Sequence, residues 1–225
     1  VSIEKMNSLK YLLAPIVALI GPLILVATQP DLGTSILIAA GGIIVAWLAG
    51  VRVKFFAYSL IAFVALLPIA ISFLKPYQKS RILTFLNPER DPLGAGYQII
   101  QSKIAIGSGG LFGKGFLNGS QSYLDYLPEK HTDFIFTLFS EEFGFFGSLF
   151  ILFLYALIIS RIIIIGNLTR SNFGKLYCYS FGTAFFIYVV VNMMMVLGLL
   201  PIVGSPLPIM SYGGSSMMAI MFGLG

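Results

Sequence analysis

Residues able to do chemistry are concentrated between Tyr123 and Gly144, in YLDYLPEKHTDFIFTLFSEEFG, which holds five of the nine acidic residues and the one histidine, His131. From Asp133 onward the polar and small positions are Asp133, Thr137, Ser140, Glu141 and Gly144. That spacing puts them on one face of an α-helix whose other positions are mostly Phe, Ile and Leu. Carboxylates on one face of so apolar a helix suit a membrane helix whose polar side meets protein or a wet cavity. The plainer alternative is a cap, with Thr132 or Asp133 taking up free N–H groups. Eight residues separate Asp133 from Glu141, about 12 Å of helical rise. Asp133 is therefore expected at the outer membrane surface and Glu141 near the top of the hydrocarbon. An unpaired carboxylate there costs about 2–3 kcal/mol, so an ion pair or a functional role is expected for Glu141.

Lys75, Lys79, Arg81, Arg90, Lys103, Lys114 and Lys130 punctuate the segment before this helix. Singly, each reads as a lipid-headgroup contact; as a set beside a carboxylate, they could hold a phosphate or diphosphate. Gly109–Gly115, GGLFGKG, has the look of a phosphate-binding loop but is one residue short, and no Ser or Thr follows Lys114. His131, with Asp133 and Glu129, makes only a weak metal-binding pattern. The methionines at 193–195, 217 and 218 read as core filler.

These residues must be positioned by membrane helices. Of 225 residues 57% are hydrophobic and 10% charged, against roughly 25% charged in soluble domains. An all-α, polytopic bundle forming a single membrane domain follows. Spans are expected at about 11–28, 32–50, 55–74, 134–160, 176–197 and 211–225. Residues 75–132 form a long extracytoplasmic segment, too long for an idle connection, with a short helix from Gln98 to Ile106. Segments 1–10, 51–54 and 161–175 hold Lys5, Lys10, Arg52, Lys54, Arg161, Arg170 and Lys175 against Glu4 alone. The positive-inside rule makes that side cytoplasmic. The lone Cys178 excludes an intrachain disulfide. The chain opens on Val1 and ends within an apolar run, so it is expected to be an internal piece of something longer.

Five motifs in order, Gln29–Thr34 (QPDLGT), Asp91–Tyr97 (DPLGAGY), Gln101–Gly110 (QSKIAIGSGG), Leu127–Phe136 (LPEKHTDFIF) and Ser211–Ser216 (SYGGSS), resemble the SEDS family. The third motif brings the chain nearer the rod-elongation branch, RodA, than the division branch, FtsW. The resemblance implies a ten-helix bundle of which this chain supplies the last six helices. It implies a peptidoglycan glycosyltransferase polymerising lipid II in cell elongation, with Asp133 as the catalytic residue. Substrate contacts are expected from Lys103, Lys114, Glu129, His131, Glu141 and Ser211. No cofactor is certain; a magnesium or manganese ion held with the substrate diphosphate is compatible with this chemistry. The implied partners are a class B penicillin-binding protein and other elongation-complex membrane proteins, in the bacterial cytoplasmic membrane, with no nucleic acid. A flippase for lipid-linked precursors is the alternative, and would want charged residues along a path through the midplane. A non-catalytic scaffold leaves the polar stripe without purpose.

Overall fold

The computed structural model describes residues 9–29, 31–72, 76–91, 94–119 and 131–225, and no strand occurs among them. The helices are α1 (Leu9–Thr28), α2 (Leu32–Leu48), α3 (Val53–Ser72), α4 (Pro76–Leu86), α5 (Ala95–Ser108), α6 (Ile135–Leu168), α7 (Asn172–Val196) and α8 (Gly214–Leu224), with a 3-10 turn at Pro88–Arg90. Helices α6 and α7 are long and apolar enough to cross a membrane.

The segment expected as one long loop is more ordered than its composition suggested. It carries α4 and a 14-residue α5. Helix α5 starts where Asp91 Oδ2 accepts from the Ala95 N–H at 2.9 Å and the Asp91 carbonyl accepts from Tyr97 N–H. Those bonds satisfy donors that a helix start otherwise leaves open. Helix α6 runs on to Leu168, past the expected end near 160, because Arg161 only interrupts an apolar stretch that resumes at Ile162–Ile165 and does not break helical geometry. Helix α7 begins at Asn172, four residues before the expected start, where Ser171 Oγ accepts from Gly174 N–H.

The core forms where α6 and α7 pack together, from Phe134, Phe136, Tyr155, Phe185, Val189, Met193, Met195, Val196 and Leu207. Helix α5 lies against both, and its buried Ser102 is hydrogen-bonded to Thr137 of α6 (2.8 Å) and to the Val196 carbonyl of α7 (2.6 Å). The N-terminal end of α2 closes on the 201–208 segment, where a β-carbon at Gly33 would sit 2.4 Å from the Val203 carbonyl oxygen. Asp31 caps that helix through the Thr34 amide and hydroxyl.

Candidate functional site

The turn His131–Thr132–Asp133 at the head of α6 is held by three successive carbonyls. Tyr212 N–H donates to His131 at 2.9 Å, Ser211 Oγ to Thr132 at 2.6 Å, and Asn192 Nδ2 to Asp133 at 2.8 Å. Asn192 also donates to the Ser205 carbonyl (2.7 Å), and Leu207 N–H donates to Ser211 Oγ (2.7 Å). Together these bonds join α6, α7 and the 201–213 segment around a fixed backbone. Pro201, Pro206 and Pro208 have no N–H to give, so side chains must hold this segment instead. Tyr155 donates to the Pro208 carbonyl at 2.6 Å and Arg81 to that of Ile202 at 3.3 Å.

The Asp133 side chain is half-buried, and the N-cap of α6 is Phe134, which has no side-chain cap bond. The exposed His131 side chain is beside it. A cavity of about 560 Å³ is lined by His131, Ile135, Met210, Ser211, Tyr212 and the start of α8, while Asp133 Oδ2 lies on the Gly204 side, 3.5 Å from where a β-carbon there would sit. Ser211 is buried, and its hydroxyl already gives its proton to Thr132, so it shapes the cavity wall.

Below Asp133 the polar face is closed against protein. Thr137, Ser140 and Glu141 are buried. Ser148 Oγ is shared between Ser140 Oγ and the Gly144 carbonyl, 2.9 Å from each. Glu141, fully buried, pairs with Lys114 at 2.6 Å. The candidates thus separate into two groups. His131 and Ser211 line one cavity, with Asp133 on the same turn, while Lys114 and Glu141 join each other two turns down α6. Lys103 reaches elsewhere: a β-carbon at Gly198 would lie 2.8 Å from its Nζ, at the carbonyl end of α7. Glu129 falls outside the described residues, among which no group of three His, Cys, Asp or Glu is placed to hold a metal.

The glycine loop after α5 has a structural task. Helix α6 breaks at Gly144 (φ 66°, ψ −161°), a backbone shape that favours glycine. Across the break, Lys114 and Gly115 N–H donate to the Glu141 and Glu142 carbonyls, each at 3.0 Å. In return, Phe145 and Phe146 N–H donate to Gly110 (2.9 Å) and Leu111 (3.2 Å). A β-carbon at Gly113 would lie 2.1 Å from the Glu142 oxygen. The close backbone approach that makes this sequence look phosphate-binding serves to splice a broken helix.

Asn192 and Ser102 were not among the expected site residues. A lone Asn between Val191 and Met193 in a span is a legible signal; Ser102 gives none, because serine in an amphipathic helix is ordinary.

The chain matches the family model FTSW_RODA_SPOVE, described as a cell cycle protein, over residues 2–225. It is 49% identical over 219 residues to peptidoglycan glycosyltransferase MrdB of Escherichia coli K12, covering 97% of this chain and 59% of that protein. It is 48% identical over 152 residues to peptidoglycan glycosyltransferase RodA of Treponema pallidum, covering 68% of this chain and 35% of the relative. Among solved structures, one described as a peptidoglycan synthase complex that coordinates polymerization and crosslinking aligns with TM-score 0.79 and 31% identity, over 97% of this chain and 61% of its own. RodA of Thermus thermophilus aligns with TM-score 0.59 and 25% identity, over 94% of this chain and 52% of its own.

Proposed function

Because this chain belongs to the FtsW/RodA/SpoVE family of cell cycle proteins, we propose that it bears the active site of a peptidoglycan glycosyltransferase. That enzyme polymerises lipid II into glycan strands for elongation and cell shape, at the outer face of the bacterial cytoplasmic membrane, and releases undecaprenyl diphosphate. The chain spans 59% of MrdB, so the reading concerns the longer protein that contains it.

The observation that carries the reading is Asp133: a half-buried carboxylate at the head of an apolar helix, on a backbone turn held at three carbonyls whose His131 lines an open cavity. In glycosyl transfer a sugar hydroxyl loses its proton as its oxygen bonds to an anomeric carbon. The bond from that carbon to the diphosphate breaks, and the electron pair leaves with the diphosphate. Asp133 takes the proton. Cations stabilise the departing charge; Lys103 and Lys114 are the two lysines proposed for this, Lys114 being also paired with Glu141. Magnesium or manganese, if held with the substrate diphosphate, would supply further neutralisation there.

The crosslinking function in the description of the similar synthase complex supports a class B penicillin-binding protein as partner. Precursor transport is less well supported, because α6 carries no charged residue from Phe143 to Ser160. The test is lipid II polymerisation by the full-length protein with Asp133→Asn at matched protein level. Activity should fall by about 10²–10⁴, the usual cost of losing a general base; near-normal polymerisation refutes the assignment.

A further inference from the structure

We infer that residues 111–117 form an interfacial anchor whose apolar tips enter the outer edge of the hydrocarbon, among the acyl chains. Four large apolar side chains in this short irregular stretch are exposed: Leu111 60%, Phe112 80%, Phe116 69% and Leu117 70%. In water such a cluster would carry a substantial penalty, about 25 cal/mol for each Å² of apolar surface left wet.

The place of the loop along α6 identifies what covers it. From Phe143 to Ser160 helix α6 runs for 18 residues without a charge, ending at Arg161. That is about 27 Å of rise, close to the thickness of a bilayer core. The outer boundary of the hydrocarbon therefore falls beside Glu142 and Phe143. The loop is spliced to α6 at this level through residues 141, 142, 145 and 146. Its aromatic rings rest on those of α6 there, Phe112 with Phe146 at 5.4 Å and Phe116 with Phe143 at 6.3 Å between centroids.

The surface continues without a step onto Phe145, Phe146, Leu149, Phe150 and Phe153, all exposed on the membrane-spanning helix. Lipid covers that face, and the loop tips extend it. Irregular backbone at membrane depth is tolerated where protein satisfies its polar groups, which is what the exchange across Gly144 accomplishes. Lys114, the one charge in the loop, is neutralised by a buried carboxylate. Anchoring there fixes the head of α6, and with it Asp133, at a set height above the acyl chains.

The experiment uses the full-length protein in lipid nanodiscs, in a background without other cysteines, with Phe112→Cys or Phe116→Cys carrying a polarity-sensitive fluorophore. Both side chains are exposed, so neither substitution opens a cavity, and either position alone decides. Lipids brominated near the headgroup should quench the label at least about threefold more than aqueous iodide, as expected for side chains about 5–10 Å into the interface. A label at Arg170→Cys, in the exposed connection between α6 and α7, should show the reverse. Iodide quenching at 112 or 116 that exceeds lipid quenching overturns the proposal in favour of an aqueous loop. Protection from both quenchers overturns it in favour of cover by another part of the protein or a partner. No turnover is read, so the result is independent of the glycosyltransferase assignment.

Discussion

Lysine 114 is the residue on which sequence and structure part most sharply, and its removal separates the two readings by magnitude. In the structure its ammonium lies 2.6 Å from Glu141 Oε1; the Lys114 side chain is 30% exposed and that of Glu141 is not exposed at all. This asymmetry predicts unequal single variants. Lys114→Met takes the ion-pair partner from a buried carboxylate, whose remaining contacts include Ser108 Oγ at a marginal 3.5 Å. Losing one partner of a buried pair costs about 3–5 kcal/mol, and water entering at the partly exposed lysine position sets the expectation at the lower end, about 3 kcal/mol. Glu141→Gln takes the carboxylate from an ammonium that can turn outward on its flexible stem, at a cost of about 1 kcal/mol. Removing both, in Lys114→Met/Glu141→Leu, should leave stability within about 1 kcal/mol of the parent, because apolar replacements of buried pairs are commonly near neutral. The measurement is reversible denaturant unfolding of the full-length protein in detergent, completed as a double-mutant cycle, alongside lipid II polymerisation. A structural pair predicts that the double variant polymerises within a few-fold of the parent. If Lys114→Met costs less than about 1 kcal/mol, or the stable double variant loses activity ten-fold or more, the pair is not what Lys114 is for. A diphosphate contact, worth about 1.5–3 kcal/mol, is then the better account.

Three further outcomes follow from the same geometry. Gly144→Ala should destabilise by about 1–3 kcal/mol, because φ is 66° and the new β-carbon would lie 2.3 Å from the Gly113 nitrogen; Gly107→Ala, in α5 with nothing within 4 Å, should stabilise by about 0.5–1 kcal/mol in the same unfolding assay. Asn192→Leu deletes its two carbonyl bonds, to Asp133 and Ser205, and should cost about 2–3 kcal/mol and lower kcat for lipid II polymerisation with little change in KM; unchanged kcat would show that the Asp133 backbone needs no such hold. Tyr155→Phe should cost about 1 kcal/mol through its single bond to Pro208, and a loss beyond 3 kcal/mol, by the same unfolding measurement, would refute so local a role.

Composition and spacing alone determined the membrane class, the all-α architecture and the helical face on which Asp133, Thr137, Ser140, Glu141 and Gly144 fall together, because hydropathy and a 3.6-residue period are local properties of a chain. The motifs that carry the family resemblance are likewise strings of neighbours. Tertiary structure decided what that polar face meets: protein from Thr137 downward, with an open cavity lined by His131 and Ile135 at the turn that carries Asp133. It paired Lys114 with Glu141 across 27 positions of sequence, and gave GGLFGKG the mending of a broken helix in place of a phosphate. It also brought Asn192 to the Asp133 carbonyl from 59 positions away. A need for a partner was legible at Glu141 and Asn192, but the partner was not, because a lysine, a glycine or an asparagine in a sequence states only what it can bond. Which partner it bonds is chosen by the packing of distant segments, where every buried donor and acceptor must find the other before the apolar surfaces close.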